Sequence, residues 1–121
     1  MAKTQLRQLE PKSTGLVRDL SSLDLEEEVR TSSVPVVVEF WAPWCPPCAA
    51  MAPVLAAVAE EGQGSLRVGR VNVDEHPELA ARYQVAGVPT FVVFVAGEAR
   101  GRVVGARNRR AFTAALDDLV S

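Results

Sequence analysis

The feature that most constrains this chain is a Cys-x-x-Cys motif between a strand pattern and a helix pattern. Cys45 and Cys48 are the only two cysteines of the sequence. The valine run 36–38 before them is typical of a buried strand, and the alanine-rich stretch after them has helical spacing. Cysteines at such a junction, in a chain that alternates strands and helices, indicate thiol–disulfide chemistry.

The start of the helix explains why one of the two cysteines should be reactive. The first backbone N–H groups of a helix have no partner within the helix, and the helix dipole adds partial positive charge there. A sulfur beside them is stabilised as the thiolate, which is the nucleophilic form. We therefore predict that Cys45 is the nucleophile. Cys48, one turn further along, is then the resolving thiol that attacks the mixed disulfide formed at Cys45.

Two other interpretations of the cysteine pair were weighed. A plain stabilising crosslink over so short a loop contributes only about 2 kcal/mol, against roughly 4.7 kcal/mol for a long loop. Half of a metal site would need two more ligands, and the one histidine, His76, has no obvious partner motif. We expect no metal within one chain, while a metal or cluster shared between two chains stays open.

Composition and charge restrict the class of protein. A chain of 121 residues is long enough for one domain with a single core. Its net charge of −2 gives no reason to expect nucleic acid or an acidic membrane as a partner. The first ten residues have no apolar run and no segment is long enough to span a bilayer, so we expect a cytoplasmic protein and a pair that is mainly dithiol at rest. We also expect a monomer.

The order of patterns along the chain predicts an α/β fold. Residues 1–14 are polar and are predicted to be a flexible leader, and residues 15–121 form the domain. The predicted order β-α-β-α-β-α-β-β-α implies a mixed sheet with helices on both faces. Ser22 is the expected N-cap of the first helix, and Asn108 that of the last helix.

Some charged residues are predicted to be solvated surface. The acidic run 26–28 should face water, as should His76. A hairpin turn at 96–98 is expected to lead into an edge strand over Gly101 to Val104, protected by Arg100 and Arg102.

Four segments in order along the chain resemble the thioredoxin family: 41–48 (WAPWCPPC), 71–74 (VNVD), 87–90 (GVPT) and 104–106 (VGA). The resemblance runs from about residue 15 to the end. It implies the thioredoxin fold, a central five-stranded mixed sheet flanked by four helices. It also implies a protein-disulfide reductase with no bound cofactor, whose redox-active group is the Cys45–Cys48 disulfide and which is re-reduced by an NADPH-dependent thioredoxin reductase.

The resemblance assigns a substrate-binding role to residues around the thiols. Trp44 would cover the thiols, while Trp41 would pack beneath them. The Val88–Pro89 bond should be cis, and the backbone of Val88 should pair with an extended substrate segment. Gly105 would let that segment approach closely. The substrate would contact an apolar collar formed by Trp44, Val88, Pro89 and Ala106.

The resemblance also points to a buried acid, which here is Glu39. A carboxylate in an apolar strand is costly to ionise, so its pKa should be raised. We hypothesise that protonated Glu39 exchanges a proton with Cys48 through a water molecule, and that Arg70, where the family usually has lysine, pairs with ionised Glu39.

The chain departs from the family pattern beside the cysteines. Pro46 and Pro47 replace the usual Gly-Pro and provide no N–H, so the Cys45 thiolate should depend on later amides such as that of Cys48. Ala49 replaces a basic residue that is common after the motif.

Three functions from different classes were compared. The leading prediction is an electron carrier that reduces protein disulfides. The first alternative is a more oxidising oxidase or isomerase, which a strongly stabilised dithiol would favour. The second is a non-catalytic interaction subunit that uses the collar and the basic residues Arg107, Arg109 and Arg110. A solvated surface is the plainer interpretation of those arginines.

Overall fold

The computed structural model describes residues 16–121, so the predicted leader over residues 1–14 and the domain boundary at 15 lie outside the described residues. The elements follow the predicted order: β1 (Val17–Asp19), α1 (Ser22–Thr31), β2 (Val36–Trp41), α2 (Pro46–Glu61), β3 (Arg67–Asn72), α3 (Pro77–Arg82), β4 (Thr90–Val95), β5 (Glu98–Val104) and α4 (Arg109–Val120). The five strands form one sheet in the order β1-β3-β2-β4-β5. β1, β3 and β2 run parallel to one another. β4 is antiparallel to β2, and β5 is antiparallel to β4. The predicted α/β mixed sheet with four helices is confirmed.

The sheet has a separate hydrophobic core on each face. Successive side chains of β2 point to opposite faces. Val37 packs with buried residues of α2 and α4, whereas Val36 and Val38 pack with buried residues of α1 and α3. Both faces are therefore covered, which explains why β2 and β4 are composed almost entirely of apolar residues. Each fully buried valine or phenylalanine stabilises the fold by roughly 1.5–3 kcal/mol.

The predicted N-cap of α1 is wrong by one residue. Ser21, not Ser22, accepts a hydrogen bond from the Asp24 N–H, and the Asp24 carboxylate accepts one from the Ser21 N–H. This reciprocal capping box requires an acid three residues after the cap, and only Ser21 has one. The Ser22 hydroxyl instead donates to Glu78 at 2.6 Å. The predicted cap of α4 is confirmed, because the Asn108 side chain accepts from the Ala111 N–H at 2.9 Å.

The acidic run 26–28 is only partly solvated, which corrects the prediction for Glu28. Glu28 lies one helical turn after the buried Leu25 and is only 7% exposed. It forms ion pairs with Arg18 of β1 and with Arg67 of β3, the second at 3.0 Å. The carboxylate therefore connects α1 to two neighbouring strands. His76 is also half-buried rather than fully exposed, with a side-chain exposure of 25%.

Strand β5 is longer than predicted. It begins at Glu98 instead of Gly101, and an irregularity in its pairing with β4 lies at Val93/Phe94. The predicted hairpin turn is present, with positive φ angles at Ala96 and Gly97. Periodicity did not predict the extra residues because residues 98–102 are polar or small and carry no apolar alternation.

The two arginines of the edge strand make contacts with the helices. Arg102 donates to the carbonyl of Gln84 at 3.1 Å and to that of Tyr83, so it satisfies carbonyls at the C-terminal end of α3. Arg100 donates to the Leu119 carbonyl of α4 at 3.3 Å. These side chains therefore attach β5 to helices on both faces of the sheet.

Candidate active site

Four strand ends meet at one edge of the sheet, which we call the active-site edge. Trp41 pairs with Asn72, Phe40 with Thr90, and Thr90 with Val104. Because β4 is antiparallel to its neighbours, its start lies beside the ends of β3, β2 and β5. The connecting segments at this edge therefore follow the strand order β3-β2-β4-β5, namely 73–76, 42–45, 86–89 and 105–108.

Cys45 is the N-cap residue of α2 and forms a disulfide with Cys48, with 5.3 Å between the two Cα atoms. The Cys48 N–H donates to Cys45 Sγ at 3.2 Å. Pro46 and Pro47 occupy the first two helical positions and have no N–H to offer. In the disulfide form the Cys48 amide is therefore placed at the Cys45 sulfur, as the prediction for the thiolate requires.

The two sulfur-bearing residues differ in their access to solvent. Cys45 is 5% exposed and Cys48 is 1% exposed. Both form a small apolar cluster with Ala42, against which Trp41, Val73 and Val88 pack. Cys45 thus lies nearer the surface, as an attacking sulfur must, whereas Cys48 is enclosed behind it.

The segment before β4 lies directly beside Cys45. The Val88 carbonyl oxygen is 3.7 Å from Cys45 Sγ. The Val88–Pro89 peptide bond is cis, as predicted. Within residues 16–121, no backbone hydrogen bond uses the N–H of Val88. Val88, a half-buried residue, therefore places its carbonyl beside the disulfide, and its N–H has no backbone partner among the described residues.

Gly105 connects the end of β5 to this segment. Its N–H donates to the Pro89 carbonyl at 2.9 Å. Its φ angle of +91° lies in the left-handed region that favours glycine. Ala106, the next residue, is exposed. Gly105 and Ala106 are therefore held next to Val88 and Pro89 at the active-site edge.

The two tryptophans occupy different environments. Trp41 is half-buried and packs against the cysteine cluster. Trp44 is 66% exposed, and its Nε1–H is shared between the two carboxylate oxygens of Asp74 at 3.1 and 3.3 Å. Asp74 therefore orients Trp44 on the surface. Sequence reasoning did not assign this role to Asp74, although its position directly after β3, within the 71–74 segment, was the available signal.

Glu39 is completely buried, with 0% of its surface exposed. Because it alternates with Val38 and Phe40, its side chain lies on the α2 face of the sheet, the face that carries Cys48. Arg70 Nε donates to Glu39 Oε1 at 3.2 Å, and within residues 16–121 Glu39 Oε2 has no hydrogen-bond partner. Burial raises the pKa of Glu39, and the Arg70 charge partly opposes that rise.

Arg70 also contacts Trp41, which sequence reasoning missed. The guanidinium carbon of Arg70 lies 4.0 Å from the centre of a Trp41 ring, a cation–π geometry. Arg70 therefore joins the buried carboxylate to the tryptophan that packs on the cysteines. A lysine at this position could not stack on the ring in the same way, because its ammonium group is not planar.

Residues 16–121 lack two kinds of feature. No group of three or more His, Cys, Asp and Glu side chains in this range has an arrangement that could hold a metal ion. No helix in this range combines the length and the apolar character needed to cross a membrane.

Comparison with known proteins agrees with the fold and with the position of the cysteine pair. The family model described as Thioredoxin matches residues 17–118. The thioredoxin of Pyropia yezoensis is 36% identical over 105 residues, which is 87% of this chain and 98% of that protein. Thioredoxin 1 of Chlorobaculum tepidum is 46% identical over 82 residues, covering 68% of this chain and 81% of that protein.

A longer relative carries a similar segment within a larger protein. The bifunctional thioredoxin reductase/thioredoxin of Mycobacterium leprae is 38% identical over 109 residues, which is 90% of this chain but only 24% of that protein. The family match, the coverage of the full-length thioredoxins and the disulfide at the active-site edge lead to one conclusion. The chain belongs to the thioredoxin family and is a thiol–disulfide oxidoreductase whose redox-active group is the Cys45–Cys48 disulfide.

Proposed function

We propose that Cys45 and Cys48 reduce protein disulfides in two steps. The Cys45 thiolate attacks one sulfur of the substrate disulfide, forms a mixed disulfide and releases the first substrate thiolate. Cys48 then attacks Cys45 Sγ, which forms the Cys45–Cys48 disulfide and releases the second substrate thiolate. Two electrons pass from the protein dithiol to the substrate. The contact from the Cys48 N–H to Cys45 Sγ in the disulfide form carries this proposal, because the same donor would stabilise negative charge on the attacking sulfur in the reduced form.

In this proposal Glu39, in its ionised form, is the acceptor of the proton that Cys48 must lose before resolution. Cys48 must lose its proton before it attacks, and at 1% exposure it has almost no contact with solvent. Glu39 lies on the same face of the sheet and has one carboxylate oxygen without a partner among the described residues. Burial raises the pKa of Glu39, which brings its proton affinity closer to that of a thiol. A water molecule would connect the two groups.

The substrate is proposed to bind as an extended segment beside Val88. Both polar backbone groups of Val88 are available to pair with such a segment, as in strand addition. Of the predicted collar residues, Trp44 and Ala106 are exposed and Val88 is half-buried, so these three would make the apolar contacts. Pro89, in contrast, is buried and would support Val88 from beneath. Gly105 has no side chain to obstruct the segment, and within residues 16–121 no atom beyond Gly105 and its two chain neighbours lies within 4 Å of the position that a Cβ there would occupy.

Re-reduction is proposed to come from an NADPH-dependent thioredoxin reductase. The Mycobacterium leprae relative joins a thioredoxin reductase and a thioredoxin in one protein, which supports this type of partner. A dithiol that is regenerated in this way functions in a reducing compartment, and we propose the cytoplasm. We propose that the protein acts there as a monomeric electron carrier in redox homeostasis.

Reduction of insulin disulfides tests the proposal. The protein, a thioredoxin reductase and NADPH are mixed with insulin, and NADPH consumption is followed. Wild-type protein should support continuous consumption. Cys45→Ser should abolish it, and Cys48→Ser should stop after the mixed disulfide has formed. Full activity of Cys45→Ser would contradict the proposal, and a wild-type protein that supports no NADPH consumption would favour a non-catalytic interaction subunit instead.

A further inference from the structure

The active-site edge has opposite charges on its two sides. On the β3 side, Asp74 and Glu75 follow the end of the strand. On the β5 side, Arg107 and Arg110 follow the end of the strand. Cys45 lies between these two sides, because β2 and β4 separate β3 from β5. An extended substrate that crosses this edge therefore meets acidic residues at one end and arginines at the other.

Arg107 is held close to the reactive cysteines. Its backbone N–H donates to Met51 Sδ at 3.4 Å, and Met51 is buried in α2 three residues after Cys48. The segment that contains Arg107 also contains Gly105, whose N–H donates to the Pro89 carbonyl. Two strand spacings of about 4.8 Å separate β5 from β2, so the arginine side of the edge lies roughly 10 Å from the Cys45 loop.

The arginine side chains are free to bind a partner. Arg107 and Arg110 are exposed, and neither forms an ion pair within residues 16–121. Arg109, in contrast, is paired with Glu61 of α2. The first turn of α4 contains no acidic residue, although the positive end of a helix dipole favours acidic side chains there. Helix stability therefore does not explain a cluster of arginines at this position.

We propose that Arg107 and Arg110 select substrate segments that carry acidic residues on the β5 side of the target cysteine. The inference extends the proposed disulfide reductase function and rests on it. An extended chain rises about 3.3 Å per residue, so the selected acids would lie about three residues from the cysteine. Attraction over this distance acts mainly on the rate of association, and salt screens it. Asp74 and Glu75 would disfavour the opposite orientation.

Peptide disulfides test this preference directly. The probes are symmetric disulfide dimers of a nine-residue peptide with one central cysteine. Two aspartates lie either before or after the cysteine, and asparagines replace them in the neutral probe. The fully reduced protein converts each dimer into two peptide thiols while Cys45 and Cys48 form their disulfide, so the electrons balance without another reagent. Acid quenching and separation of the thiols give the second-order rate constant.

The expected result is a charge-dependent ratio of rates. At low salt, wild-type protein should reduce one of the two aspartate dimers about fivefold faster than the neutral dimer, which is the scale of one or two exposed charge contacts. In Arg107→Gln/Arg110→Gln the ratio should fall to about one. The control Arg30→Gln/Arg82→Gln removes the same charge from α1 and α3, which pack on the opposite face of the sheet from α4, and it should keep the wild-type ratio.

Three outcomes would overturn the inference. These are a wild-type ratio near one, a ratio that persists in Arg107→Gln/Arg110→Gln, and a ratio that the control double variant also loses, because the last result reflects only net charge. Failure of wild-type protein to reduce the neutral dimer would instead contradict the proposed function. The two proposals therefore fail in distinguishable ways.

Discussion

Glu39 places an ionisable group inside an apolar strand, where its desolvation lowers the stability of the fold. A leucine in its place would bury the same volume without the desolvation of a carboxyl group. Arg70 satisfies one carboxylate oxygen and stacks on Trp41, but Arg70 is itself partly exposed, so the charge is only partly compensated. The raised pKa of Glu39 follows from this imbalance between burial and pairing.

Glu39→Ala should separate the two steps of the reaction. We expect resolution by Cys48 to slow by about 100-fold, the lower range for loss of a general acid–base group. The first attack by Cys45 should change little, because its activation comes from the Cys48 amide. Rapid acid quenching would then trap accumulated mixed disulfide. An equal slowing of both steps would remove the proton role.

Glu39→Gln should change the pH dependence of stability. Because burial raises the pKa of Glu39 in the folded state, the folded protein holds this proton at pH values where the unfolded chain, with a pKa near 4.5, has lost it. The wild type should therefore lose stability relative to Glu39→Gln as pH rises above that value.

Urea unfolding of the oxidised proteins, in which the cysteines do not titrate, measures the difference. A difference in unfolding free energy that is constant with pH, or that changes in the opposite direction, would contradict the assignment.

At the scale of elements, the start of α2 determines the chemistry of the site. Two prolines are compatible with the first helical turn, but they leave only later amides to stabilise the Cys45 thiolate. Prolines also limit the conformations that the reduced loop can adopt. We therefore expect the redox potential to depend on the identity of residues 46 and 47 as well as on the cysteines.

Pro46→Gly restores an N–H directly after Cys45 and a more flexible loop. We expect the equilibrium constant with glutathione to move towards the range of thioredoxins that have Gly-Pro between their cysteines. Incubation in defined glutathione buffers, followed by acid quenching and thiol counting, measures this constant. An unchanged constant would show that the Pro-Pro pair does not tune the potential.

The ion pairs of Glu28 join α1 to the parallel half of the sheet. Replacing Glu28 by alanine leaves Arg18 and Arg67 without their partner. Both arginine side chains are 50% exposed, and solvent therefore compensates part of the loss. We expect Glu28→Ala to lower the unfolding free energy by about 1–2 kcal/mol, less than for a fully buried pair.

The exposed neighbour Glu27 provides a matched control for this variant. Glu27→Ala should change the unfolding free energy by about 0.5 kcal/mol or less, as is typical of surface substitutions. Urea denaturation of both variants measures the difference. Equal effects of the two substitutions would show that the Glu28 ion pairs contribute no specific stability.

At the scale of the whole molecule, patterns along the chain predicted most of the architecture. The apolar runs of β2 and β4 and the helical spacing after Cys48 were sufficient for the order of elements, and the four family segments marked the active-site edge. What the sequence did not reveal depends on contacts between distant residues. Glu28 looked like surface because the two arginines that bind it are 10 and 39 positions away in the chain.

Two contacts in the active site also join residues that are distant in the chain. The role of Asp74 depends on the turn that brings Trp44 to within 3.1 Å of it, and the stacking of Arg70 on Trp41 depends on the pairing of β2 with β3. The 71–74 segment was the one signal in the sequence for the first contact, and the second contact has none.

We propose that the fold activates Cys45, rather than Cys48, as the attacking thiol. Alkylation of the fully reduced protein with a small excess of iodoacetamide at pH 7, with the modified site identified by mass spectrometry, shows which thiol is activated. We expect Cys45 to react at least about tenfold faster than Cys48 and faster than either cysteine in the urea-unfolded chain. Equal labelling of the two cysteines at the rate of the unfolded chain, or faster labelling of Cys48, would contradict it.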